Sequence, residues 1–233
     1  MSDIAHRRLK DSLYGQFARI GKALSSPSRL ELLELLAQGE RTVDSLAAET
    51  GLSLANASQH LQALRRASLV DTRKEGLYVY YRLAHLSVSD LSAAIRTVAE
   101  HRLADLHQIV REHFGNRTAL EPVSMKELLI RARSKDVVIL DARPAKEYAA
   151  GHIAGAISVP VDELQRRLHR LPKHKQYVAY CRGPYCVYAD HAVDILRAKG
   201  RRASRLIDGF PEWRSAGYPI ESGAPVDAAE HRS

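Results

Sequence analysis

Tyr177-Val178-Ala179-Tyr180-Cys181-Arg182-Gly183-Pro184-Tyr185-Cys186 is a short apolar run that ends in a hexapeptide holding both cysteines of this 233-residue chain. The run is too short for a helix and reads as a buried strand, which Gly183-Pro184 stops from continuing. A helix from about Val187 to Lys199 follows. Working outward, Val123 to Arg133 begins as a helix, Val137 to Leu140 is another buried strand that ends in Asp141-Ala142-Arg143, and Ser204 to Ile207 is a third. Strands alternating with helices predict an α/β domain with a parallel sheet and helices on both faces, where ligands bind beyond the carboxyl ends of the strands. Cys181 falls at such an end.

Two cysteines separated by four residues make a poor staple for a chain this long, so their use reads as reactive rather than architectural. A loop running from a strand into a helix N-terminus points backbone N–H groups and the positive end of the helix dipole inward. That arrangement is expected to lower the pKa of Cys181, with Arg182 adding a cation that favours a thiolate or an anionic partner. Cys186 is either a small loop residue or a resolving thiol that attacks a sulfur carried on Cys181.

The first half of the chain has a different periodicity. Leu9 to Leu24 has helical spacing, and Ser26-Pro27 opens a second helix with a capping serine and a proline in its first turn. A third helix runs from about Val43 to Glu49 and is broken by Gly51; Ser53 caps a fourth that reaches about Ala67. In the fourth, Leu54, Ala57, Leu61 and Leu64 form the apolar stripe, leaving Asn56, Ser58, Gln59, Gln62, Arg65 and Arg66 mostly off it. Amides, hydroxyls and arginines are the groups that base edges and phosphates call for. Leu69 to Thr72 and Leu77 to Leu83 read as strands around a turn at Arg73-Lys74-Glu75-Gly76, a wing beside that helix. Ser87 to Phe114 is a long helical segment with more apolar surface than one small domain needs, as a dimer seam would have.

Composition restricts the function less than the motifs do. The net charge is +8, but residues 1–86 hold twelve Lys and Arg against nine Asp and Glu, whereas residues 123–220 hold eighteen against ten. Charge is therefore compatible with nucleic-acid binding by the first half without demonstrating it. No stretch approaches the roughly 18 consecutive apolar residues of a membrane span, and the opening residues lack the apolar core of a signal peptide, so a cytoplasmic location is expected.

Ser53 to Val70, with Ser58-Gln59-His60-Leu61 inside it, together with Tyr80-Tyr81-Arg82-Leu83, resembles the ArsR family of winged helix-turn-helix repressors over about residues 8–114. The resemblance implies a homodimer on a double-stranded DNA operator with inverted-repeat symmetry. On the matching positions, Asn56, Ser58, Gln59, His60 and Gln62 face the major groove, while Arg73 and Lys74 on the wing meet phosphate or the minor groove. No cysteine precedes Cys181, which excludes a thiolate metal site in this half. Asp105, His107 and His113, with His101 upstream, do not have the spacing of the family's other metal site, so no metal is assigned.

Asp141-x-Arg143 with Glu147-Tyr148, then Gly151-His152-Ile153-x-Gly155-Ala156, the cysteine hexapeptide, and Asp208-Gly209-Phe210-x-x-Trp213 with Ala216-Gly217-Tyr218-Pro219 resemble a single-domain rhodanese. That resemblance implies sulfane-sulfur transfer through Cys181 from thiosulfate, a persulfide or a polysulfide, with Gly183, Pro184 and Tyr185 completing the active-site loop and no cofactor. Asp141, Arg143, Glu147 and His152 are expected to hold strand and loop ends by hydrogen bonds. The combined expectation is two domains, a mainly α winged helix-turn-helix with a β-hairpin wing over 1–114 and an α/β rhodanese domain over 123–220, with a linker at 115–122 and a disordered tail at 221–233. Two functions follow. One is a repressor whose operator affinity is set by sulfur or redox chemistry at Cys181 and Cys186; the other is a sulfurtransferase carried on a DNA-binding module whose regulatory input lies elsewhere.

Overall fold

The computed structural model describes residues 3–114, 122–134 and 137–224. The expected linker, apart from Pro122, and the tail from residue 225 onward lie outside the described residues. Two compact units divide the chain, Met1–Ser92 and Ala93–Ser233.

The first unit carries α1 (Asp3–Leu24), α2 (Pro27–Ala37), β1 (Arg41–Thr42), α3 (Val43–Thr50), α4 (Leu54–Arg66), β2 (Val70–Glu75) and β3 (Tyr78–Leu83). Local chemistry places these boundaries. Thr42 Oγ1 accepts from the Ser45 amide and Ser53 Oγ from the Asn56 amide, each satisfying an amide that the helix start leaves without a partner. Gly51 ends α3 in the left-handed region at φ 68°, where a side chain would be disfavoured. Ser26 takes the expected N-cap position of α2, but its side chain makes no capping bond, and Pro27 opens the helix. β2 and β3 pair antiparallel from Val70↔Leu83 to Glu75↔Tyr78, so Arg73 and Lys74 lie within a strand and the turn shrinks to Gly76 and Leu77. β1 joins the other edge of β3. Leu32, Leu33, Leu46, Leu61 and Leu64 fill the core, with Tyr81 and Leu83 packed against it from the wing. Leu54 departs from the expected stripe: in the first turn of α4 it is 52% exposed.

The segment expected as one helix over 87–114 is two, α5 (Leu86–Arg102) and α6 (Ala104–Phe114), separated at Leu103. α5 contributes Val88 to the first unit's core, and its residues from Ala93 onward belong to the second unit.

The second unit continues with α7 (Met125–Arg133), β4 (Val137–Asp141), α8 (Ala145–Ala150), β5 (His152–Ile153), β6 (Ile157–Ser158), α9 (Val161–Arg167), β7 (Gln176–Tyr180), α10 (Tyr188–Ala198), β8 (Ala203–Arg205), α11 (Phe210–Ser215) and β9 (Ile220–Glu221). Four strands form a parallel sheet in the order β6-β4-β7-β8, and β5 pairs with β9 antiparallel. Because strand side chains alternate, Val138, Leu140, Tyr177 and Ala179 enter one core while Ile139, Val178 and Tyr180 enter another. Burial on both faces explains why β4 and β7 read as apolar runs rather than alternating ones. β6, α9 and the β5–β9 pair were not expected from sequence; β5, β6 and β9 are each two residues long, too short to show a period.

Candidate functional site

The register of β4 against β7 sets Asp141 beside Tyr180, so the two strands deliver Asp141 and Cys181 to the same end of the sheet. Asp141 and Arg143 are both fully buried and paired, Arg143 Nη2 lying 2.6 Å from Asp141 Oδ2. The Tyr180 hydroxyl donates to the same carboxylate at 2.5 Å, and Arg143 Nη2 also donates to the Gly151 carbonyl at 2.8 Å. Beside the aspartate, the Arg143 guanidinium is held even more firmly charged than usual despite its burial. A buried charge pair survives only when its remaining hydrogen-bonding capacity is also met, as it is here. His152 stacks on the Tyr148 ring with centroids 3.5 Å apart and meets the Tyr148 carbonyl through Nδ1 at 2.8 Å. Asp141 is thus tied to Tyr180, the residue before Cys181, and Arg143 to the Gly151 carbonyl, while His152 is held by Tyr148.

The cysteine loop leaves β7 at Cys181 and enters α10 at Tyr188. Cys181 is buried and Cys186 half-buried, and both are free thiols. The Cys181 sulfur lies 3.7 Å from the Gly183 carbonyl oxygen and 3.5 Å from that of Cys186. The acidic thiol of the pair is Cys186, whereas the loop's position led us to expect it at Cys181. Burial pushes the Cys181 thiol well above its ordinary value, and its hydrogen bond to Cys186 keeps its proton, against the N–H groups of Ala189 and Gly183. Cys186 is lowered to about 7, first by the hydrogen bond from the Cys181 thiol and then, against burial, by the N–H groups of Tyr188 and Arg182 and the Arg182 charge. The more exposed sulfur is thus the more acidic of the two.

Arg182 does not reach outward. Its guanidinium is held by Glu147, with Nη2 to Oε1 at 2.5 Å and Nε to Oε1 at 3.0 Å, and Glu147 is itself nearly fully buried. The loop is also gripped from behind. Gly209 approaches so closely that a β-carbon there would sit 2.5 Å from the Arg182 carbonyl, and the Phe210 amide donates to the Cys181 carbonyl at 3.1 Å. Pro184 accepts from Arg205 Nη2 at 3.2 Å, and the Tyr185 hydroxyl donates to Glu100 at 2.6 Å. Glu147 was visible in sequence as part of a motif but not as the partner of Arg182. Nothing in the local sequence signals Glu100, which lies 85 residues before Tyr185.

In the first unit, α4 presents Asn56, Gln59 and Gln62 exposed, with Ser58 and His60 half-buried on its flanks and Arg65 and Arg66 exposed at its end. Ala57, Leu61 and Leu64 occupy the opposite, buried side. On the wing, Lys74 is exposed, while Arg73 is paired with Glu40 and with Glu75 and lies over the Tyr80 ring at 4.8 Å. Of the expected groove-side residues, Asn56, Gln59 and Gln62 lie on the exposed side of α4, and Ser58 and His60 border its buried row. The two wing cations differ, since Arg73 must exchange carboxylates for phosphate to contact DNA. Among the described residues, no helix is long and apolar enough to cross a membrane.

Residues 26–72 match the bacterial regulatory protein, arsR family, and residues 124–216 match the rhodanese-like domain. The HTH-type transcriptional regulator Rv0324 of Mycobacterium tuberculosis is 46% identical over 217 residues, covering 93% of this chain and 95% of that protein. A biofilm growth-associated repressor of Agrobacterium fabrum is 40% identical over 77 residues, covering 33% of this chain and 66% of that protein. Among solved structures, the homodimeric winged helix-turn-helix DNA-binding domain Mb0332 from Mycobacterium bovis is 45% identical. It covers 45% of this chain and 93% of that one, with a TM-score of 0.40. With near full-length identity to one such regulator, and with both domain models matched in order, the chain belongs to the ArsR family of bacterial regulatory proteins, in a form that carries a rhodanese-like domain after its winged helix.

Proposed function

We propose that this protein is a DNA-binding repressor whose operator affinity is set by sulfane-sulfur chemistry at Cys181 and Cys186. The observation that carries the reading is a pair of free cysteines held in one loop, the Cys181 sulfur 3.5 Å from the Cys186 carbonyl oxygen, in a chain of a DNA-binding regulator family. A lone thiolate would record a sulfur atom only as an adduct. A neighbouring thiol can convert that adduct into a bridge, which is a conformational constraint.

The chemistry balances without a further reagent. The Cys186 thiolate attacks the outer sulfur of a persulfide R–S–SH; a new S–S bond forms, the old one breaks, and R–S⁻ leaves with the electron pair. Cys181, in the same loop, then attacks the Cys186 sulfur. The products are a Cys181–Cys186 disulfide and H2S, which takes the thiol proton and the hydrogen of the persulfide. The two cysteine sulfurs are oxidised and the sulfane sulfur is reduced. The rhodanese resemblance puts the first sulfur on Cys181 instead, and that order ends in the same bridge. Asp141, Arg143 and His152 take no proton in either order; they hold the strand ends from which the loop springs.

DNA reading rests on Asn56, Ser58, Gln59, His60 and Gln62 from α4, with Arg73 and Lys74 on the phosphates. A homodimer on an inverted-repeat operator fits the apolar side chains that α1 leaves exposed, among them Leu13, Tyr14 and Phe17. Repression is the sense supported by the relatives' names, and a DNA-bound regulator of bacteria works in the cytoplasm.

The test is operator binding by the reduced protein with and without a persulfide or polysulfide donor, with intact mass of the Cys181–Cys186 peptide read on the same samples. Release that tracks loss of two hydrogens or gain of sulfur, and that is absent in Cys181→Ser and Cys186→Ser while their basal binding is normal, is the expected result. Unchanged operator affinity alongside robust turnover of thiosulfate and cyanide would overturn it in favour of a sulfurtransferase carried on a DNA-binding module.

A further inference from the structure

We infer that Tyr185, Glu100, Arg96 and Glu212 form a latch that ties the cysteine loop to helix α5 in the reduced protein, and that bridging Cys181 to Cys186 opens it. The link from latch to operator rests on the sulfur-switch reading above; the latch itself does not.

All of its members lie in the second unit. The Tyr185 hydroxyl donates to Glu100 Oε1 at 2.6 Å, and the Tyr185 ring lies 6.0 Å from that of Phe114. One turn before Glu100, Arg96 lies 4.0 Å from the same carboxylate and donates through Nη2 to Glu212 Oε1 at 2.6 Å. The other oxygen of Glu212 accepts from the Gly209 amide at 3.0 Å, and the next residue, Phe210, holds the Cys181 carbonyl at 3.1 Å. The contacts form a circuit: from the Cys181 carbonyl through α11 to Arg96, along α5 to Glu100, and back to the loop at Tyr185, the residue preceding Cys186. Arg96 and Glu212 are 25% and 15% exposed, so their pairing is partly withdrawn from water and less screened than a surface bridge. A chance surface contact would use one bond; here two carboxylates, one arginine and one phenol are engaged around a single loop.

The loop cannot change shape without disturbing this circuit. In the reduced state the Cys186 amide donates to the Gly183 carbonyl at 3.2 Å, closing the turn that carries Tyr185. A disulfide removes the Cys181 thiol hydrogen that the Gly183 and Cys186 carbonyls accept and joins the two sulfurs by a bond of about 2.05 Å with a fixed torsion, which constrains the Cys186 backbone. Tyr185 is covalently adjacent to Cys186, and a hydrogen bond of 2.6 Å tolerates little displacement. The far side of the circuit is fixed by the close seat of Gly209 on Arg182, so the strain falls on the Tyr185–Glu100 contact. The helix so released is the one whose Val88 is buried in the DNA-binding unit's core. A contact made in one loop state and lost in the other supplies the differential stability that coupling requires.

The experiment compares full-length wild type with Glu100→Ala, a substitution on α5 outside the thiol chemistry, in the reduced form and after bridging with a diazene oxidant that accepts the two thiol hydrogens. Amide hydrogen exchange over residues 95–102 is read alongside operator affinity. In wild type, exchange there is expected to rise roughly three- to tenfold on bridging, the range of one hydrogen bond's net worth. Reduced Glu100→Ala is expected to exchange already at the bridged rate, to bridge as readily as wild type by intact mass, and to bind operator like the bridged wild type. Tyr185→Phe, which keeps the ring, is expected to match it, and the double variant to add nothing further. Equal exchange in reduced and bridged wild type overturns the latch. So does a Glu100→Ala effect that persists undiminished after bridging, because a merely structural carboxylate would act in both states. If exchange responds as stated and operator affinity does not, the latch stands and the sulfur-switch reading fails.

Discussion

Helix α4 and the cysteine loop achieve specificity by opposite means. α4 keeps Asn56, Gln59 and Gln62 exposed to solvent, so its chemistry is that of the side chains as they stand, positioned by a buried row of Ala57, Leu61 and Leu64. The cysteine loop keeps its groups engaged: Cys181 with Cys186, Arg182 with Glu147, Tyr185 with Glu100, and Pro184 with Arg205. A surface that must meet a partner's hydrogen-bonding groups leaves its own available. A site that must hold a reactive sulfur excludes water and lets neighbours set the protonation state. For that reason the meaning of a residue in α4 can be read from its type, while the meaning of one in the loop depends on what faces it.

Substitutions can break this contrast at several strengths. The largest effect is expected at the Asp141–Arg143 pair. Arg143→Met strands the fully buried Asp141 carboxylate and should cost about 3–5 kcal/mol of stability by chemical denaturation; a loss under about 1 kcal/mol would mean that the strand ends are not held by that pair. In α4, Leu61→Ala should cost about 2–5 kcal/mol by the same measurement, as a fully buried leucine does. Gln59→Ala should instead leave stability within about 0.5 kcal/mol and weaken operator binding by about 1–3 kcal/mol in a titration at fixed salt; equal binding would remove Gln59 from the groove. For the loop, thiolate grows as pH rises through the Cys186 pKa of about 7, so alkylation at Cys186 should climb through that window and level off above it. In Cys181→Ala the midpoint should move up toward an ordinary thiol near ~8.5, because the hydrogen bond from Cys181 is gone; an unmoved midpoint would assign the shift to the backbone N–H groups and the Arg182 charge. The smallest effect is expected at Leu54, whose side chain is 52% exposed: Leu54→Ala should change stability by less than about 0.5 kcal/mol.

The elements that sequence made legible are those in which neighbouring residues carry the signal. Gly51 ends α3 and Ser53 opens α4 because a left-handed residue and a capping hydroxyl act on their own helix ends. β4 and β7 are recognisable as apolar runs because both faces of a parallel sheet are buried. Leu54 misled because a stripe extrapolated to the first turn passes beyond the edge of the core. The 87–114 segment misled for a related reason: apolar spacing continues across Leu103, yet the helix does not. The paired β5 and β9 are distant in sequence and too short to show a period, so neither could be seen before the chain closed.

The sequence by itself determined that two modules follow one another, one built around a capped helix with a polar face and the other around strands that deliver a two-cysteine loop to the end of a sheet. Each rests on side-chain periodicity, turn residues and motif order, which act over a few residues. Only the tertiary structure decided which thiol is acidic, what Arg182 faces and how the loop reaches Glu100. Proton affinity and pairing depend on burial and on groups that the chain brings from 35 and 85 residues away, as Glu147 and Glu100 are. Local spacing does not encode those pairings; they exist once the chain has folded and brought Glu147 to Arg182 and Glu100 to Tyr185.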